Sequence, residues 1–210
     1  MAPTLVNAAV GVLLGLALLG AALDRRSLVV VAIAAALPDL DAVAGLVVVG
    51  ATNVLLHTLL IPAAAFVALY WETRYRDRSR LGDRYGWYGV RVGWVALAAF
   101  VVAGIGLDCF TTGANLLYPL HDRFYAVSGR LLVSTQHGLV QTIADGGAPL
   151  WLSSPGTTET YHVETWLNPT PGTGIETGVE RRLHLIDAGW QLPVVVAAGI
   201  AAAVRLREVR

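Results

Sequence analysis

The chain has 210 residues, of which 55% are hydrophobic and 14% charged, and its mean hydropathy is +0.59. Soluble domains carry about 25% charged residues, so this composition excludes disorder, a coiled coil and a basic nucleic-acid binder, and a formal net charge of zero provides no global field for a polyanion. A single cysteine, Cys109, excludes internal disulfides and cysteine-cluster metal sites.

The first apolar segment, residues 3–23, holds no ionisable group and is long enough to cross ~30 Å of hydrocarbon. It lacks a basic leading region, so it reads as a retained helix rather than a signal peptide, closed by Asp24, Arg25 and Arg26. The second segment, 27–50, is interrupted by Pro38-Asp39-Leu40-Asp41. The third, 52–71, contains His57, and the fourth, 90–107, ends on Asp108. The fifth, 188–204, leads into a tail with Arg205, Arg207 and Arg210.

These segments predict an all-α polytopic membrane bundle of about five transmembrane helices, the second broken at Pro38. A polar stretch between the fourth and fifth, with short alternating runs, predicts a small β-rich extracytoplasmic insertion. The expected organisation is a bundle over 1–120 whose first four spans carry the site, an insertion over 121–187, and a fifth span with a cytoplasmic tail over 188–210. Arg74, Arg76, Arg78, Arg80 and Arg84 crowd one loop, which marks it as cytoplasmic and in contact with anionic headgroups. Alternation then puts Arg25, Arg26 and the C-terminal arginines on the same side. The expected location is a prokaryotic cell membrane, N-terminus out and C-terminus in. Trp71, Trp87, Trp94, Tyr70, Tyr85 and Tyr88 fit an aromatic belt near that loop.

The informative residues are ionisable groups at membrane depth. An Asp near a helix centre costs ~2.5–3.5 kcal/mol on insertion scales, so Asp39, Asp41 and Asp108 call for protonation, a cation or a water-filled cavity. Two arrangements at Pro38 are open. An extended turn would send Asp39 and Asp41 to one side, whereas Pro38 at the start of a new helix would place both near a positive helix end. His57 sits in the outer part of the third span, either as a packing donor or as a ligand. Thr111 and Thr112, three and four residues after Asp108, can donate hydrogen bonds to it, and Gly113 supplies a helix terminator. Three carboxylates and one imidazole suit a divalent ion, Zn²⁺, Mn²⁺ or Mg²⁺, able to activate a water.

Ala36-Leu37-Pro38-Asp39-Leu40-Asp41, Leu56-His57-Thr58 and Leu107-Asp108-Cys109-Phe110-Thr111-Thr112-Gly113, followed by Leu116-Leu117-Tyr118-Pro119-Leu120, occur in an order that resembles the YdjM-like membrane proteins of prokaryotes. These are described as metal-dependent hydrolases and also called LexA-binding inner-membrane proteins. The resemblance covers roughly residues 1 to 125 and implies that Asp39, Asp41, His57 and Asp108 are the metal set. Three family positions differ. Asn7 stands for a histidine early in the first span, Ala42 for one after the Asp pair, and Thr52-Asn53 for His-Arg.

His121 and Asp122 follow the Asp108 segment and read as a solvated loop pair or as a supporting contact to the site. His137, His162 and His184 have unrelated spacings and no metal motif, Ser134 and Ser153-Ser154 lack a nucleophile elbow, and Gly172-Thr173-Gly174 is loop composition. The leading reading is an integral membrane metal-dependent hydrolase with Asp41 as general base, acting on an ester or phosphoester of a lipid-like substrate. The alternatives are a non-catalytic structural or regulatory membrane protein with a degenerate site, and a cation-binding transporter-like bundle. Membrane lipids are the expected partners; nucleic acid is not.

Overall fold

The computed structural model describes residues 2–76, 79–136, 138–143, 152–173 and 176–208. Arg78, His137, Gly174 and Arg210, read above, lie outside the described residues.

Helix α1 (Thr4–Leu18) starts after extended Pro3 and stops before a 3-10 turn, Gly20–Ala22. Gly20 there has φ +57°, a conformation that suits glycine and ends the helix. Helix α2 (Arg25–Ala36) starts with a reciprocal cap. The Ser27 amide donates to the Asp24 carboxylate at 2.6 Å, and the Asp24 amide donates to the Ser27 hydroxyl at 2.9 Å. Its inner face buries Ser27, Leu28, Val31 and Ala35, while Val29, Val30 and Ile33 are exposed on the outside. Water does not favour such an outer face, but lipid does. At its C-terminal end, α2 continues through a 3-10 turn (Leu37–Leu40) into the short α3 (Asp41–Ala44). Pro38 therefore sits in the first turn of a new helical piece, where its missing N–H costs nothing, and the extended alternative does not occur.

Irregular turns over 52–59 lead into α4 (Leu60–Arg74). Helix α5 (Arg80–Ala99) is capped by the Ser79 hydroxyl, kinks at Gly86, and runs on through a π-helical turn (Phe100–Ile105) into α6 (Gly106–Cys109). Two separate antiparallel ribbons follow. Strand β1 (Ala126–Val127) pairs with β4 (Leu152–Ser153), and β2 (Gly129–Ser134) pairs with β3 (Gly138–Ile143). Helix α7 (Gln191–Glu208) closes the chain and packs along α1.

The core joins α1, α2 and α5 through Leu19, Leu23, Leu28, Val31, Val92 and Val95, with Ala202 and Leu206 of α7 against it. The helices share two ends. At one, the Arg91 guanidinium donates to the Leu18 carbonyl at the end of α1, at 2.8 Å; Arg25 opens α2, Arg80 opens α5 and Arg205 lies in the last turn of α7. At the other end the start of α1 meets Asp39 and Asp108.

The five-span bundle does not hold. Among the described residues, two helical stretches are long and apolar enough to cross a membrane, Arg25–Ala44 of 20 residues and Arg80–Cys109 of 30. The other apolar segments are cut short for separate reasons. Helix α1 has 15 residues because Gly20 ends it, and turns take residues 52–59 of segment 52–71, so that α4 starts only at Leu60 and has 15 residues. Helix α7 carries Arg205, Arg207 and Glu208 in its last turn. The insertion is likewise corrected: among the described residues, two small two-stranded ribbons stand in place of one β-rich unit.

Candidate metal centre

Each polar group at the centre is delivered by a break in regular helix. Asp39 comes from the 3-10 turn after α2, Asp41 from the first residue of α3, His57 from the turns before α4, and Asp108 from α6 after the π-helical turn. Irregular backbone at this depth is tolerated because it lines a polar protein interior rather than lipid. Gly104 allows the close approach. A Cβ there would lie 2.6 Å from Pro38 Cγ and 2.8 Å from the Ala35 carbonyl oxygen. The absence of a side chain thus brings the Asp108 helix against the Asp39 turn.

His57 is fully buried between two carboxylates. Its Nδ1 lies 2.8 Å from Asp41 Oδ2 and its Nε2 lies 2.5 Å from Asp108 Oδ2. His57 itself is outside both candidate spans. Burial works against a charged imidazole there, but the hydrogen bonds to Asp108 and Asp41, and then their charges, outweigh it and push His57 up to about 10. The Val54 amide also donates to Asp41 Oδ2, at 3.1 Å.

Asp39, His57 and Asp108 each offer a ligand atom, and these atoms lie within 4.8 Å of one another, all buried. Asp41 stands on the far side of the ring, where it fixes the imidazole and leaves Nε2 for the cluster. Asp39 and Asp41 therefore address one histidine environment from two directions, as their spacing on a helix dictates.

Three further groups hold this cluster in place. Asn7 Nδ2 donates to both oxygens of Asp39, at 3.0 and 3.2 Å. Asn53, in the left-handed region at φ +57°, donates to Thr112 Oγ1 at 3.1 Å and to the Gly113 carbonyl at 3.0 Å, tying the His57 turn to the end of the Asp108 helix. The backbone amide of Ala2 donates to Asp108 Oδ1. Asn7 and Asn53 stand where the family resemblance implies other polar residues, and both act here as amide donors. The Ala2 contact left no signal in the sequence.

Thr111 Oγ1 reaches the Asp108 carbonyl at 3.3 Å and its Oδ1 at 3.5 Å. Thr112 instead receives Asn53 on its hydroxyl and the Tyr161 hydroxyl on its carbonyl, at 2.7 Å. His121 is exposed, with its ring 6.3 Å from that of Tyr125, and does not join the cluster. Asp122 beside it is pinned, not free: it accepts from Asn115 Nδ2 at 2.6 Å and from the Thr158 hydroxyl at 2.6 Å. His162 and His184 also stay away from the centre, His184 pairing with Asp187 at 3.0 Å.

The donor set fits a divalent cation. Three carboxylates around one imidazole leave excess negative charge in a site without water access, which a cation offsets. Buried Asp41 Oδ1 and Asn7 Oδ1 also have no hydrogen-bond partner among the described residues, so oxygen donors are left over beside the cluster. The chain is thus membrane-associated and carries a buried Asp-His-Asp cluster able to coordinate a metal ion.

The family described as YdjM inner membrane protein matches residues 1–163, a stretch that contains every group of the cluster. No curated protein and no solved structure matches the chain.

Proposed function

The chain belongs to the YdjM inner membrane protein family, and from that premise we propose that it is a metal-dependent hydrolase acting on an ester or phosphoester of a lipid-like substrate. The observation that carries this reading is the convergence of buried Asp39, His57 and Asp108, with ligand atoms within 4.8 Å of one another. A divalent ion bound there would supply Lewis acidity and an activated water. The chain's own residues do the rest. Asp108, His57 through Nε2, and Asp39 hold the ion, and Asp41 keeps the ring in register through Nδ1. Asn7 and Thr111 keep Asp39 and Asp108 aimed inward.

In this reading the arginine-bearing end of the helices faces the cytoplasm and the metal centre lies toward the opposite side. Residues 1–120 then act as the body that carries the site, and 121–187 as its cover.

Metal analysis of the purified protein, alongside hydrolysis of ester and phosphoester lipids, tests the proposal. About one Zn²⁺ or Mn²⁺ per chain is expected, with metal and hydrolysis lost together in Asp108→Asn and His57→Ala. Metal content unchanged in both variants would overturn it.

A further inference from the structure

A cavity of about 1030 Å³ lies beside the buried cluster. Its floor consists of residues that already hold the cluster in place. Ala2 donates to Asp108, the Thr111 hydroxyl reaches Asp108, and Thr4 lines the cavity between them. Its walls are different in kind. Phe110, Trp166, Leu183, Leu185 and Trp190 line it, and they are 67%, 45%, 57%, 56% and 54% exposed. Five large apolar side chains that face one cavity without being covered mark a ligand site.

The charged groups on the rim narrow the ligand. Arg182 pairs with Glu180 at 2.6 Å and His184 pairs with Asp187 at 3.0 Å. Arg182 and His184 are thus already engaged by carboxylates, and Glu164 adds a further acidic group to the lining, so a nucleotide or other polyanion would meet competing negative charge. A hydrocarbon chain needs no such partner, and the volume, just above the range for small-molecule sites of about 300–1,000 Å³, has room for one. The position of the walls in the chain adds a second point. The family match ends at residue 163, and Trp166, Leu183, Leu185 and Trp190 all come after it.

We propose that this cavity binds the hydrocarbon chain of a single-chain amphiphile, with its polar head on the Thr4–Thr111 floor, and that residues 164–191 select the chain. The placement of the head rests on the hydrolase reading; the binding of the chain does not. The family portion supplies the metal-capable floor, and the segment beyond it supplies the specificity wall.

The test is photolabelling of the protein in lipid nanodiscs with a lysophospholipid that carries a diazirine on its alkyl chain, followed by peptide mapping. Adducts on Phe110 and within 161–191 are expected, and adducts confined to the outer faces of α2 and α4 would overturn the proposal. Combining Trp166→Ala with Trp190→Ala should lower the yield of cavity adducts about tenfold, because each indole removes a large apolar contact. An undiminished yield would also overturn it. Metal content measured on the same samples separates the two readings. Cavity adducts on a metal-free wild-type protein would defeat the hydrolase and leave the chain site standing, and metal without cavity adducts would do the reverse.

Discussion

An imidazole bonded at both nitrogens to buried carboxylates has no rotational freedom left, and His57 is in that position. Asp41 sets which nitrogen faces the cluster, so its effect on metal binding is indirect. Replacing such an orienting partner lowers metal affinity about 10–100-fold. Asp41→Asn should therefore weaken zinc binding within that range, read by calorimetric titration, while Asp108→Asn should abolish it. Equal affinity in Asp41→Asn and wild type would show that the Nδ1 bond is dispensable. A second residue-scale expectation concerns Asp122. Burial raises its pKa, but the hydrogen bonds from Thr158 and Asn115 outweigh that and hold the carboxyl below its ordinary value. A carboxylate with a lowered folded pKa stabilises the protein above its unfolded pKa of about 3.9, and this contribution is lost as pH falls through the folded value. Wild type should thus lose thermal stability on acidification to about pH 3 more steeply than Asp122→Asn, measured by melting at a series of pH values.

At the scale of elements, the contact between the Asp39 turn and the Asp108 helix depends on one missing side chain. The Gly104 backbone packs against Pro38 and the Ala35 carbonyl at distances where a Cβ does not fit. Gly104→Ala should destabilise the protein by about 1–3 kcal/mol through overpacking, seen as a lower thermal midpoint in detergent. Because the strain falls next to Asp39, metal content should fall with it; a variant with unchanged midpoint and metal content would show that the helices adjust freely. The same scale explains why His57 lies on turns rather than in α4. Asn53 takes the left-handed conformation and fastens the turn to Thr112 and Gly113, so residues 52–58 present their polar groups inward and cannot extend the helix.

For the whole molecule, the sorting of charge and site to opposite helix ends sets the expected orientation. A reporter inserted after Ser79 should be read on the cytoplasmic side, and one inserted within 157–160 on the other. Same-side readings would remove the proposed orientation. The clasp that joins Asp122 to Thr158 also fastens the segment over the site to the body, so loosening it should expose the cavity floor before the helices separate.

Composition and local pattern alone determined that apolar helices dominate and that Asp39, Asp41, His57 and Asp108 need partners. The free energy of burying a charge depends mainly on residue type and surroundings, and both are legible along a chain. Tertiary structure alone decided how much of each apolar run is helix, because hydropathy records which solvent a side chain prefers and not whether its backbone is free to coil. Residues 52–58 are apolar enough for a span, yet their backbone is used to deliver His57. Packing also gave Asn7 and Asn53 their roles as donors to partners 32 and 59 or more residues away, since a hydrogen bond between distant segments exists only once the helices that carry them have met.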